Sequence, residues 1–153
     1  MKLTELTVAR AIAAKPEALF DVWMDPGSPG GPWFGAARML IDPKVDGLFY
    51  FTVEHEGKTW AHYGRFVRIE RPSPGGSGSA RGSGLVEYTW MSEATRGFES
   101  VVTVTFQPLE DETEVTLVHS GVPDDEMGRR HAEGWKWMLD TLAERFSMHE
   151  DAS

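Results

Sequence analysis

His119 opens the passage His119-Ser120-Gly121-Val122-Pro123, and seven residues later His131 opens His131-Ala132-Glu133-Gly134-Trp135. Imidazoles titrate near neutrality, so two of them beside one cavity can serve as a general acid and base. They can also ligate a metal, but a third ligand at matching spacing is missing, and no metal site is expected. The competing interpretation is structural, with His119 fixing the loop through Gly121 and His131 bonding a strand carbonyl. That interpretation outweighs catalysis, because titratable groups near a pocket are only a statistical pointer to chemistry. His119 and His131 are thus catalytic candidates without an assigned reaction, and the residues alone leave open whether the chain is an enzyme.

Aromatic residues form the second group: Trp33, Phe49, Phe51, Trp60, Tyr88, Trp90 and Trp135. His62 shares the face of Trp60 by parity unless a bulge near Gly64 reverses it. Met138, one helical turn beyond Trp135, can adapt its shape to either a ligand or a core. An aromatic lining with a few polar groups is characteristic of small-molecule sites. The same residues would also suit a solid aromatic core. The expected ligand-binding set is therefore Trp33, Phe49, Phe51, Trp60, His62, Tyr88, Trp90, His119, His131, Trp135 and Met138, with a small, mostly apolar molecule as partner. No Ser/His/Asp order, phosphate loop or dinucleotide glycine pattern appears, so no cofactor is expected.

The elements that must position these groups follow from periodicity. Leu3 to Ala13 reads as a strand with Leu6, Val8 and Ala11 on its apolar side. Lys15-Pro16-Glu17 opens a short helix with proline in the tolerated first turn, and Asp25-Pro26-Gly27 stops it. Trp33-Phe34-Gly35 then anchors a loop or single helical turn. Strands follow at Met39–Asp42, Leu48–Glu54, Thr59–Ile69, Leu85–Met91, Phe98–Phe106 and Thr113–His119, whose alternation implies an antiparallel sheet with one buried face. From about Asp125 to Phe146, Met127, His131, Trp135, Met138, Leu142 and Phe146 recur at helical spacing, with Asp124 or Asp125 as cap. The stretch 73–84, rich in glycine and serine, has the composition of a flexible loop inserted between two strands.

Composition bounds the function classes. The 153 residues suit one domain, spanning 1–153, large enough for a core without disulfides or metals. Hydrophobic residues make up 41%, the net charge is -9 and cysteine is absent. An acidic chain is a poor partner for nucleic acid. The absence of cysteine suits a reducing compartment, and without a membrane-span-length apolar run or signal peptide the expectation is a soluble cytoplasmic protein, monomeric or homodimeric.

Several segments carry a family likeness: Pro16-x-Ala18-Leu19-Phe20 through Trp23, the Asp25-Pro26 pair, Trp33-Phe34-Gly35, Asp46-Gly47-x-Phe49, Tyr63-Gly64-Arg65-Phe66, Leu85-Val86-Glu87-Tyr88-Thr89-Trp90, Thr113-Glu114-Val115-Thr116-Leu117-x-His119, and Gly134-Trp135 with Leu139-x-x-Leu142. Together they resemble the activator of heat-shock-protein ATPase homologue family of the SRPBCC, or START-like, superfamily. The resemblance covers nearly the whole chain. It implies an α+β helix-grip fold, as in birch-pollen-allergen-like proteins, with a curved antiparallel sheet of six to seven strands around a long C-terminal helix and two short helices after the first strand. It departs from the family in having Asp46-Gly47 where two glycines are usual, and in the 73–84 insertion. The eukaryotic co-chaperones that name the family carry an additional N-terminal domain, to which no segment here corresponds. The resemblance implies binding of an apolar ligand between sheet and helix. The alternatives are a polyketide-cyclase-like or dehydratase-like enzyme using a cavity histidine, and a chaperone-associated interaction module.

Overall fold

A computed structural model describes residues 2–25, 33, 36, 38–72 and 83–151, with side chains through residue 147. In chain order the elements are β1 (Leu3–Ile12), α1 (Pro16–Met24), β2 (Arg38–Ile41), β3 (Leu48–His55), β4 (Lys58–Glu70), β5 (Gly84–Ser92), β6 (Ser100–Leu109), β7 (Glu112–Pro123) and α2 (Glu126–Asp151). A 3-10 turn, Glu93–Thr95, follows β5. The second short helix expected near Trp33-Phe34-Gly35 lies largely outside the described residues. Trp33 itself is described, and its carbonyl accepts from the Ala36 amide at 3.4 Å. The glycine-rich stretch 73–84 also lies outside them apart from Ser83 and Gly84. Gly84, expected in that loop, is the first residue of β5 and pairs with Phe106. A Cβ there would stand 2.5 Å from the Pro72 ring.

The strands form one antiparallel sheet in the order β1-β7-β6-β5-β4-β3-β2. Successive strands from β2 to β7 are neighbours, and β1 joins the far edge beside β7. Alternation puts Phe49 and Phe51, Phe66, Val86, Tyr88 and Trp90, Val102, Val104 and Phe106, and Val115, Leu117 and His119 on one buried face. On β1 the inward positions are even-numbered, because Leu6, Val8 and Ile12 oppose the inward His119, Leu117 and Thr113 of β7. Ala11, expected on the apolar side, is consequently exposed, and Ile12 is buried in its place.

Both helices cover that inner face. Leu19, Phe20, Val22 and Trp23 of α1 and Trp135, Met138, Leu139 and Leu142 of α2 belong to the same buried cluster as the inward strand residues. Phe20 and Trp23 meet Phe106 edge-on, with centroids at 6.0 and 5.5 Å, the geometry that ring quadrupoles favour. The other face of the sheet leaves Leu40, Leu48 and Tyr63 exposed.

Two tethers fix where α2 lies. Asp125 caps it by accepting the Met127 amide at 2.8 Å, which satisfies one of the unpaired donors of the first turn. The guanidinium of Arg96, beyond the 3-10 turn, clamps the other oxygen of Asp125 at 2.7 Å and holds its carboxyl below the usual range. Further along the helix, Asp140 binds both Arg10 of β1 and Lys136. Exposed pairs of this kind contribute little stability. Their effect here is to orient the helix over β1 and β7.

Two irregularities shape the sheet. The β1–β7 register shifts between Thr4 and Glu5, leaving Gly121 unpaired at φ 79°, a bulge that only glycine enters without strain. The β4–β5 register shifts between Phe66 and Arg68. This second bulge lies beyond Gly64, so the parity of His62 is preserved and its side chain stays on the inner face.

Candidate functional site

His119 ends the inward row of β7 and is fully buried. Ser100, opposite Trp90 across the β5–β6 ladder, spends its single hydroxyl proton on the Trp90 carbonyl at 2.6 Å. Its oxygen therefore accepts from His119, whose Nε2 lies 2.7 Å away. On the other side of the ring, the Trp135 indole donates to His119 Nδ1 at 3.0 Å. An indole nitrogen can only donate, so Nδ1 is unprotonated and His119 is the neutral Nε2–H tautomer. Both ring nitrogens are committed, which leaves no lone pair for a metal or a substrate proton. Burial, with a smaller effect of the His131 charge, pushes its pKa down to about 3. His119 thus joins β7 to β6 and α2 as a structural link, through Ser100 and Trp135 rather than through the Gly121 loop.

His131 occupies the facing turn of α2, its ring 5.1 Å from that of His119. Its Nδ1 donates to the Met127 carbonyl at 2.8 Å, a bond within its own helix rather than to a strand. The neutral ring then keeps Nε2 as an acceptor. Burial lowers the His131 pKa, opposed by the Met127 bond. His62 lies flat on Phe51, at 4.8 Å and 14°, with Trp90 4.9 Å away. Its pKa is pushed down to about 4 by burial and then by the His131 charge. His62 Nδ1 and Trp90 Nε1 are buried with no hydrogen-bond partner among the described residues, where native interiors pair nearly every such atom. His62 and His131 are half-buried, while Trp90, His119 and Trp135 are buried.

The other expected site residues divide by position. Trp33, Phe49, Phe51, Tyr88 and Trp90 contact one another through centroids 5.1–6.3 Å apart. Phe66 joins them. That end of the inner face is therefore occupied by rings. Trp33 is pinned there by its indole donating to the Trp23 carbonyl at 2.8 Å. Tyr88 accepts from the Trp23 indole at 3.4 Å, and burial raises its pKa. Met138 is buried in α2 beside this core. Trp60 stands apart at the β3–β4 hairpin, where Lys58 covers its ring at 4.3 Å. Ser100 escaped the sequence reading although a signal existed: it is a polar residue in phase with Val102, Val104 and Phe106. Among the described residues, a cleft of about 570 Å³ between β1 and α2 and another of about 490 Å³ on the outer face beside Leu40, Leu48 and Tyr63 lie away from this group.

The three lowered histidine pKa values set a pH dependence. An unfolded chain takes up protons near pH 6.5 that the folded His62 and His119 refuse until about 4 and 3, so their burial destabilises the fold as pH falls through that window. Urea melts are expected to show full stability at pH 7 and a loss of roughly 2 kcal/mol for each of these histidines by pH 5. A His62→Phe variant should lose correspondingly less between the two pH values, and an unchanged slope would refute the assignment.

The sequence profile of the family described as Activator of Hsp90 ATPase homolog 1-like protein matches residues 13–147. The chain belongs to this family. No curated protein matches it by sequence. Among solved structures, protein CV1439 from Chromobacterium violaceum aligns with TM-score 0.69 and 21% identity over 93% of this chain and 96% of its own. A protein from Cytophaga hutchinsonii aligns with TM-score 0.71 and 19% identity over the whole of both chains. Ara h 8.0201 aligns with TM-score 0.71 and 10% identity over 96% and 99%. At such identities the likeness is one of fold, and this member of the Activator of Hsp90 ATPase homolog 1-like family has the helix-grip architecture. No helix among its described residues is long and apolar enough to cross a membrane.

Proposed function

We propose that the protein binds a small, mostly apolar molecule between the sheet and α2, at the end of the inner face lined by Phe51, His62, Trp90, His131 and Trp135. The observation carrying this reading is the pair of buried, unpartnered atoms His62 Nδ1 and Trp90 Nε1. Leaving a donor or acceptor unpaired in an interior costs about 1–3 kcal/mol, and a ligand atom reaching them removes that cost. Aromatic faces supply the apolar contact that such sites generally use. The site is narrower than the aromatic set named from the sequence, because Trp33, Phe49, Phe66 and Tyr88 already fill the space beside it with their own rings.

Native mass spectrometry of freshly purified protein, joined to titration with the neutral fluorophore N-phenyl-1-naphthylamine, tests this. A co-purified small molecule, or saturable one-to-one binding with quenching of tryptophan emission, is expected. Absence of both would overturn the reading and turn attention to the exposed Leu40, Leu48 and Tyr63 surface as an interaction face.

One observation favours a second, enzymatic reading. His131 has Nδ1 fixed by a carbonyl and Nε2 free, the orientation of a general base. His119 cannot share that role, since both its nitrogens are bonded. A reaction on this scaffold would therefore depend on His131, with His62 as the second titratable group.

A further inference from the structure

We infer that the polar end of the bound molecule is an uncharged hydroxyl, which accepts a hydrogen bond from Trp90 and donates one to His131. This inference rests on the ligand-binding reading and adds the chemistry of the recognised group. Trp90 Nε1–H is a donor with no other role, and it is buried and unpartnered. His131 presents the opposite requirement: with Nδ1–H committed to the Met127 carbonyl, the neutral imidazole offers only the Nε2 lone pair. His62, in ring contact with Trp90, has no bond fixing its tautomer and can complete either pattern. The rings form a continuous run, His62 to Trp90 at 4.9 Å, Trp90 to Trp135 at 5.0 Å, Trp135 to His119 at 5.9 Å and His119 to His131 at 5.1 Å. An obligate donor and an obligate acceptor on one run of rings match a group that both accepts and donates.

The charge state of the surroundings selects against ions. None of the described ion pairs or hydrogen bonds brings a lysine, arginine, aspartate or glutamate onto His62, Trp90 or His131. Burial keeps all three histidines neutral at pH 7. A carboxylate would meet the His131 lone pair with no cation to offset its desolvation, and an ammonium would meet the Trp90 N–H. A pure hydrocarbon would leave both atoms unpaired.

Displacement of N-phenyl-1-naphthylamine at pH 7 by four ligands of one shape tests the inference: naphthalene, 2-naphthol, 2-naphthoate and the cation of 2-(aminomethyl)naphthalene. The expected result is that 2-naphthol binds about tenfold more tightly than naphthalene, the equivalent of about 1.4 kcal/mol, and that both ions bind more weakly than naphthalene. In His131→Leu and in Trp90→Phe, the ratio of naphthol to naphthalene affinity should fall toward one, with thermal melts reporting whether each variant is folded. His131 is half-buried, so that variant keeps the test open if Trp90→Phe does not fold. Equal binding of naphthol and naphthalene, tightest binding of either ion, or a ratio unmoved in folded variants would overturn the hydroxyl assignment and leave the apolar site standing. Failure of naphthalene as well as the other three would remove the site itself.

Discussion

Replacing His119 by leucine is expected to lower the unfolding free energy by roughly 2–4 kcal/mol, although leucine nearly matches imidazole in size. The substitution strands the Trp135 indole N–H and one lone pair of Ser100 in an interior where His119 is fully buried. Three elements lose their common point, since the chain of bonds runs from the Trp90 carbonyl through Ser100 and His119 to α2. Trp135→Phe should cost less, because it strands a single acceptor, His119 Nδ1, although the smaller ring leaves some space unfilled. Contacting residues in one network are not additive, so the double variant should lose less than the sum of the two. Urea denaturation of the four proteins measures this coupling. Nitrogen chemical shifts of the imidazole should independently show a bare Nδ1 and a protonated Nε2. A loss below about 1 kcal/mol in His119→Leu, or a protonated Nδ1, would break the tautomer argument.

Gly64→Ala is expected to have the second large effect. A Cβ at this position of β4 would stand 2.0 Å from the backbone carbonyl of Thr89 and 2.7 Å from Cζ of Phe49. The carbonyl belongs to the neighbouring strand and cannot swing aside as a side chain would. The strands must separate or the ring must leave its place among Trp33, Phe66 and Tyr88, at a cost of roughly 2–3 kcal/mol or more. Because His62 on β4 and Trp90 on β5 are held together by this same strand pair, ligand binding should weaken along with stability. Gly134→Ala is the control. That glycine is exposed in α2 with nothing within 4 Å of an added Cβ, so alanine should raise stability by about 0.5–1 kcal/mol through helix propensity. If Gly64→Ala melts like the parent protein, the close approach of β4 to β5 is not as described.

The candidate site was legible in part. His119, His131, Trp90 and Trp135 could be assigned to inward faces because each stands in phase with aliphatic neighbours on a strand or helix. His62 was placed correctly by the same parity, since the β4 bulge falls between Phe66 and Arg68 and not before it. What each would bond was not legible. His119 finds Ser100 on a neighbouring strand and Trp135 on a helix, partners fixed by strand order and helix position, neither of which sequence spacing encodes. Trp60 shares the parity of His62, yet its place at the hairpin puts it under Lys58 and away from the ring cluster. The Ala11 and Ile12 exchange on β1 has a similar origin: the phase of an edge strand is set by the neighbour it pairs with.

By itself, the sequence determined the kind of elements and their order. Apolar residues at period two in successive segments must make half-buried antiparallel strands, and the long apolar stripe after Asp125 must make a helix that covers them. Only the tertiary structure decided which polar atoms are satisfied. Hydrogen bonding depends on distances of a few tenths of an ångström between residues far apart in the chain, whereas burial depends only on which face a residue occupies. His119 and His131 look equivalent in sequence, but packing spends both nitrogens of one and leaves the other, in ring contact with it, a free acceptor at Nε2.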